Sequence, residues 1–201
     1  MNPNEYVKNV LVTEARDFEP LKERFSLVRS IRLLHGVIGL SSELAEIQEL
    51  VEKPNIDPVN LKEEKGDLFW YMGVIIDELQ FDPNKIFMFN DTDKIQSFSD
   101  NDARSQLQEQ IHGLTKSIGT TVDLLKKHVM YGKELKVDAV KDQLQQIDYY
   151  INRSLRIYGL TSAAARETNI AKLKFRYQEK FTEVAALERD LVTERAILET
   201  K

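Results

Sequence analysis

The recurrence of apolar residues at steps of three and four constrains the fold of this chain more than any other feature. Ile31, Leu34 and Ile38 follow this spacing, and Ile147 and Ile151 repeat it in the second half. Such steps place side chains on one face of an α-helix. Glycine and proline are sparse, with 8 and 5 residues among 201, and alternating β-branched runs are scarce. The pattern predicts an all-α protein.

The breaks between the periodic segments set the expected helix boundaries. They fall between Pro54 and Pro58, at Pro83, at Gly132 and at Gly159, because proline and glycine interrupt helices. We expect helices over residues 4–17, 20–52, 60–80, 103–129, 137–158, 162–177 and 183–199.

Composition and charge limit the partners of the protein. The absence of cysteine excludes disulfides and thiolate metal sites and is expected of a cytoplasmic protein. The formal net charge of −5 would repel a nucleic-acid backbone over most of the surface. The longest apolar run, residues 68–76, is shorter than the about 20 residues that span a bilayer. We therefore expect a soluble protein that binds neither nucleic-acid polymers nor membranes, while a small anion held through a divalent cation stays compatible with the charge.

The second half of the chain reads as a diverged copy of the first. Gly39 lines up with Gly113, and residues 67–71 line up with residues 146–150. This alignment predicts an internally duplicated chain that packs as a pseudo-dimer. The two expected repeats span residues 1–100 and 101–201.

Two pairs of carboxylates mark the first repeat. Glu43 and Glu46 lie three residues apart in an expected helix, and Glu64 and Asp67 have the same spacing. Residues three apart share a helix face, so two antiparallel helices would bring four acidic groups together. Oxygen ligands of this kind suit Mg²⁺ or Mn²⁺ rather than zinc. A solvated acidic surface would show the same spacing.

Asp67 distinguishes this set from ordinary surface charge. The residues directly after it, 68–72, are all apolar or aromatic, which predicts a buried helix. A buried carboxylate without a partner costs several kcal/mol. A metal ion shared with Glu64 would satisfy Asp67, although Lys65 or an arginine would also serve. Trp70 is expected in the core, with stacking on a nucleotide base as the alternative.

These motifs resemble the MazG-like branch of the all-α nucleoside-triphosphate pyrophosphohydrolases. The likeness lies in Gly-Leu before the Glu43 and Glu46 pair, in Glu64 and Asp67 around the run GDLFWYM, and in the run TNIAKLKFRYQEKF. It covers nearly the whole chain. The resemblance implies a MazG-like helical bundle in which these four catalytic carboxylates bind Mg²⁺, with Mn²⁺ as an alternative. The implied reaction is hydrolysis of a nucleoside triphosphate to a nucleoside monophosphate and pyrophosphate.

The resemblance also implies residues that bind the substrate phosphates. Asn169, Lys172 and Arg176 lie on one face of an expected helix, and Lys126 and Lys127 resemble the start of the family's basic loop. The positions of the second repeat that match the four carboxylates hold no acidic residue. We therefore expect one working site, with metal ligands from the first repeat and cations from the second.

Other functions stay compatible with the sequence. The same carboxylate set serves dUTPase-like, dCTPase-like and phosphoribosyl-ATP pyrophosphohydrolases, and nothing in the sequence selects a base. A catalytically silent nucleotide-binding or interaction protein on the same scaffold would satisfy Asp67 with a salt bridge. The pseudo-dimer would act alone or would form a homodimer through its C-terminal helix.

Overall fold

Helices make up the architecture, and the described residues contain no strand. This confirms the all-α prediction. The computed structural model describes residues 1–13, 18–88, 100–177, 182, 184 and 187–200. The helices are α1 (Pro3–Thr13), α2 (Glu19–Ser26), α3 (Val28–Glu52), α4 (Pro58–Glu78), α5 (Asp100–Tyr131), α6 (Val137–Ile157), α7 (Ser162–Tyr177) and α8 (Leu191–Leu198), with a 3₁₀ turn at Pro83–Lys85.

Two helical hairpins form the centre of the fold. Residues 53–57 join α3 to α4, residues 132–136 join α5 to α6, and the helices of each pair pack against each other. Connections this short make each pair antiparallel. Helix α3 also packs on α5, α7 packs on α4, and α8 packs on α7. Among the described residues, no helix is both long enough and apolar enough to cross a membrane.

Helices α3 and α5 bury apolar residues at matching positions. Leu33, Val37, Leu40 and Leu44 of α3 are all in the core. Their side chains recur on one helix face and remove apolar surface from water, which is the main favourable term in folding. In the register that aligns Gly39 with Gly113, the counterparts in α5 are also buried: Leu107, Ile111, Leu114 and Ile118.

A glycine–tyrosine contact occurs once in each hairpin. A Cβ built on Gly39 would lie 2.1 Å from Cε1 of Tyr71, so only glycine leaves room for the ring. A Cβ on Gly113 would lie 2.3 Å from Cε1 of Tyr150. Each tyrosine also meets the aromatic residue before it edge-on, with ring centroids 5.0 and 5.2 Å apart. The two contacts hold each pair of helices in close approach.

Two expected helices are interrupted in the structure. The expected helix over residues 20–52 breaks at Leu27, whose backbone is extended (φ −77°, ψ 123°). Arg24 explains the new direction of α2, because its guanidinium donates to the carbonyl oxygens of Val129 and Met130 at the end of α5. The expected helix over residues 183–199 is also wrong as one unit. The chain is not helical at residues 188–190, and Asp190 then caps α8 by accepting from the Thr193 amide.

Candidate functional site

A cavity of about 610 Å³ lies between α3, α4, α7 and the residues before α8. We call it the acidic cavity, because five carboxylates line it, four of them the predicted set. Lys172, Arg176 and Arg189 also line it, together with the aromatic rings of Trp70 and Tyr71. The cavity therefore joins acidic side chains of the first half to basic side chains of the second. The carboxylates are those of Glu43, Glu46, Glu63, Glu64 and Asp67.

Three of the four predicted carboxylates meet closely. One oxygen atom from each of Glu43, Glu64 and Asp67 lies within 4.8 Å of the other two. Glu43 extends from α3, and the other two extend from neighbouring turns of α4, as the three-residue spacing predicts. Glu46 lines the same cavity one turn further along α3, where it is exposed.

Burial and crowding raise the pKa of two of these carboxylates, Glu64 and Glu43. Burial raises the pKa of Glu64 to about 9, and the charges of Glu46 and Asp67 act in the same direction. Burial likewise raises the pKa of Glu43 to about 7, again with help from neighbouring carboxylates. Burial is the largest cause of both shifts, and repulsion between the neighbouring carboxylates adds to it. A divalent cation would relieve this repulsion.

Asp67 has two partners from helix α7. Asn169 donates from Nδ2 to Oδ1 over 2.5 Å, and Lys172 donates from Nζ to Oδ2 over 2.6 Å. The same ammonium donates to Oε1 of Glu63 over 3.1 Å. Burial would lower the pKa of Lys172, but the charges of Asp67 and Glu63 outweigh burial and raise it. Lys172, and not Lys65, is therefore the cation that satisfies Asp67.

Arg176 is held by a carboxylate that the sequence analysis did not single out. Its Nε and Nη2 atoms donate to the two oxygens of Glu194 over 2.8 and 2.7 Å. The side chain of Glu194 is only 2 % exposed, and it also accepts from Arg189 over 2.8 Å. One edge of the Arg176 guanidinium is thus committed within the protein. Arg189 lies 3.8 Å from Glu63 and lines the acidic cavity with an exposed side chain.

Glu63, Arg189 and Glu194 complete the site but carried no recognisable spacing in the sequence. Glu63 stands directly before Glu64, and the other two lie in the charged run ERDLVTERAILE near the C-terminus. Their roles follow from contacts between distant segments. The one available signal was the density of charge in that run.

Lys126 and Lys127 lie apart from this site. Both pair with Asp123 on the exposed surface of α5, Lys126 over 3.2 Å. Neither residue lines the acidic cavity. The structure therefore does not bring them to the carboxylates, whereas it does bring Lys172 and Arg176 there.

Trp70 lies at the surface rather than in the core. Its exposed fraction is 36 %, and it lines the acidic cavity. Its ring meets His35 edge-on, with centroids 5.7 Å apart, and His35 meets Tyr71 in the same way. An accessible aromatic wall therefore stands beside the carboxylates.

Comparison of the chain with protein-family models, with curated proteins and with solved structures found no match. The geometry of the acidic cavity and the motifs therefore carry the functional proposal.

Proposed function

We propose that this protein is a Mg²⁺-dependent nucleoside-triphosphate pyrophosphohydrolase of the MazG-like type that acts in the cytoplasm. The observation that carries the proposal is the composition of the acidic cavity. Three carboxylates converge within it, while Lys172 and Arg189 face the same space and Trp70 forms a wall. A substrate with a polyanionic end and a planar aromatic end fits both features.

The carboxylates fit a hard divalent cation. Mg²⁺ takes oxygen ligands at about 2.0–2.1 Å, so opposite ligands of one ion are about 4 Å apart. The oxygen atoms of Glu43, Glu64 and Asp67 lie within 4.8 Å of one another, close to that span. Glu46 lines the same wall and would complete the set. When bound, the ion would offset the charge of the triphosphate and lower the pKa of the attacking water.

The remaining residues would bind and orient the phosphates. Lys172 is protonated and already points into the carboxylate cluster, and Arg189 has donors that Glu194 does not use. In the proposed reaction, water attacks the α-phosphorus, and the bond from that phosphorus to the bridging oxygen breaks. Pyrophosphate leaves with the bridging oxygen, and a carboxylate of the cluster accepts the proton of the water.

We further propose that the chain is a pseudo-dimer with one working site. The matching contacts of Gly39 with Tyr71 and of Gly113 with Tyr150 support an internal duplication. Only the first repeat keeps the acidic residues, and Lys172 of the second repeat reaches them. Residues 1–100 would supply the metal ligands, and residues 101–201 would supply the cations.

Pyrophosphate release from a panel of canonical and modified ribo- and deoxynucleoside triphosphates tests the reaction. We expect release with Mg²⁺, none with EDTA, and a loss of at least about 100-fold in Asp67→Asn, because a metal ligand is removed without a change of shape. Glu49→Gln is the matched control, since Glu49 is an exposed acid on α3 outside the cavity. Wild-type protein that releases no pyrophosphate from any triphosphate would refute the proposal.

A catalytically silent nucleotide-binding protein is the second candidate. The specific observation in its favour is that Asn169 and Lys172 already satisfy both oxygens of Asp67. Thermal unfolding with and without Mg²⁺ separates the two candidates, because an ion that binds only the folded state raises the melting temperature by mass action. A melting temperature that does not respond to Mg²⁺ would favour the silent protein.

A further inference from the structure

A second cavity, of about 340 Å³, is also lined by Trp70. We call it the aromatic cavity, because Phe69, Trp70 and Phe87 line it. The two cavities are neighbours: Trp70 lines both, and Asn169 lines the second while it donates to Asp67 in the first. A ligand that passes along Trp70 would therefore occupy both.

Arg166 brings a cation to the aromatic cavity. Its guanidinium carbon lies 5.0 Å from the ring centroid of Phe69 and 5.4 Å from that of Phe87. Among the described residues, no hydrogen-bond or ion-pair partner faces this guanidinium. The other charged groups of the cavity, Arg32 and Asp77, are paired with each other over 2.6 Å. Two aromatic rings thus flank the guanidinium, and no described residue accepts from its N–H donors.

We infer that the aromatic cavity binds the base of the nucleotide and selects a purine that carries O6 and N7 acceptors. This inference rests on the proposed function. The rigid donor fork of arginine matches two adjacent acceptors, such as O6 and N7 of guanine or hypoxanthine. Adenine presents a donor amine in place of O6, so the same fork opposes it. Stacking on Trp70 adds an attraction that all bases share.

The inferred pose agrees with the placement of the acidic cavity. With the base beside Arg166, the sugar would pass Trp70, and the phosphates would enter the space that Lys172 and the carboxylates line. The substrates would then be guanosine and inosine nucleotides rather than pyrimidine nucleotides.

Fluorescence of Trp70 provides the test, because it is the only tryptophan in the chain. GMP, IMP and AMP are titrated into the full-length protein. We expect GMP and IMP to quench at concentrations about tenfold lower than AMP, since one bidentate pair gives about that discrimination. In Arg166→Met the advantage of GMP and IMP over AMP should disappear. The matched control is Lys174→Met, which removes an exposed cation from the same helix.

A second variant fills the aromatic cavity directly. A Cβ on Gly73 would meet no atom within 4 Å, so the side chain of Gly73→Leu starts in open space at the wall of the cavity. Leucine also favours helix more than glycine does, so the fold should persist. Gly119→Leu is the control, because Gly119 is an equally open glycine on α5. We expect Gly73→Leu to remove the quenching by GMP and Gly119→Leu to keep it.

Three outcomes would overturn the inference: equal quenching by GMP and AMP, quenching by GMP that persists in Gly73→Leu, or no quenching by any of the three nucleotides. Persistence in Gly73→Leu would place the base in the acidic cavity. The proposed reaction can fail separately. If GMP quenches as expected but no triphosphate releases pyrophosphate, the base site stands and the hydrolase is refuted.

Discussion

Nζ of Lys172 lies 2.6 Å from Oδ2 of Asp67, so a cation from the second half of the chain neutralises a carboxylate of the first. The lysine side chain is almost fully buried, and its second acceptor is Glu63, at 3.1 Å. The protein therefore supplies part of the positive charge that a metal ion would bring to this cluster. We expect Mg²⁺ to compete with Lys172 for Asp67 and to free the ammonium for a phosphate.

Replacement of Lys172 by methionine should destabilise the metal-free protein. The change leaves Asp67 and Glu63 without their cation. Loss of one partner of a fully buried pair costs about 3–5 kcal/mol in the free energy of unfolding, and because both acids are partly exposed we expect about 2–4 kcal/mol. Mg²⁺ should restore more stability to this variant than to the wild type, because the ion then has no internal competitor. Urea unfolding with EDTA and with Mg²⁺ measures both effects.

Lys174→Met is the control for that comparison, because Lys174 lies on the same helix but is exposed. It should change the free energy of unfolding by less than about 0.5 kcal/mol. Equal losses of unfolding free energy in the two variants would show that the ion pair of Lys172 adds nothing to stability. An identical response to Mg²⁺ in Lys172→Met and wild type would rule out the competition.

The helical period predicts much of the fold. The expected helix over residues 162–177 has the bounds of α7, because Gly159 interrupts the chain before it. Glu43 and Asp67 share a cavity because the three-residue spacing puts each pair of acids on one helix face and the short connection at residues 53–57 packs α3 against α4. Where a glycine, a proline or a fixed spacing determines the local structure, the sequence is sufficient to predict the helix bounds and the residues that share a helix face.

Contacts between distant segments could not be predicted in this way. The helical segment breaks at Leu27, where there is no glycine or proline. The break accompanies the contact of Arg24 with the end of α5. Glu194 lies in the first turn of α8, which begins at residue 191, and it accepts from Arg176 of α7. Neither pairing has a period or a motif. Both depend on how the helices pack.

The two glycine–tyrosine contacts predict matched effects of alanine. Gly39→Ala and Gly113→Ala would each place a methyl group within 2.3 Å of a tyrosine ring carbon, so the ring must move. Such overpacking costs about 1–3 kcal/mol. Gly119→Ala, at an open helical site, should instead gain about 0.5–1 kcal/mol. Chemical denaturation measures all three changes, and a loss in only one of the two contacts would contradict the duplicated packing.

Glu194 predicts a pH-dependent contribution to stability. Burial alone would raise the pKa of Glu194, but hydrogen bonds from Arg176 and Arg189 outweigh burial and hold it below the ordinary glutamate value of 4.5. Its stabilising effect is therefore present above about pH 4.5 and is lost as the pH falls through the lower pKa of the folded state. Glu194→Gln should lower the free energy of unfolding at pH 7 by about 2–3 kcal/mol.

The difference between wild type and Glu194→Gln should narrow as the pH is lowered below about 4.5, because the wild-type carboxylate then becomes protonated. Unfolding in urea at a series of pH values measures this difference. Glu199→Gln is the control, since Glu199 is an exposed partner of Arg195 and lies directly after the same helix. A gap that stays constant across the series would mean that Glu194 acts through shape and not through charge.

Lys65 predicts a stabilising substitution. Its side chain is fully buried on α4, and Nζ has no hydrogen-bond partner among the described residues. Burial lowers the pKa of Lys65 to about 7, although the charge of Glu64 opposes this. In the register that aligns residues 67–71 with residues 146–150, the position of Lys65 corresponds to Leu144, which is also buried. Lys65→Leu should therefore raise the free energy of unfolding at pH 7 by about 1–3 kcal/mol, since an unpaired buried amine is removed.

Lys62→Leu is the matched control, because Lys62 is also buried on α4 but donates to the carbonyl oxygen of Thr200 over 2.9 Å. Loss of that hydrogen bond should cancel any gain in the free energy of unfolding. The advantage of Lys65→Leu should also shrink between about pH 7 and pH 10. In that window the unfolded wild type binds more protons than the folded one, so wild-type stability rises with pH. Urea unfolding in EDTA at pH 7 and pH 10 measures the difference in unfolding free energy between Lys65→Leu and wild type. An equal difference at both pH values would show that burial of the Lys65 amine does not disfavour its charged form.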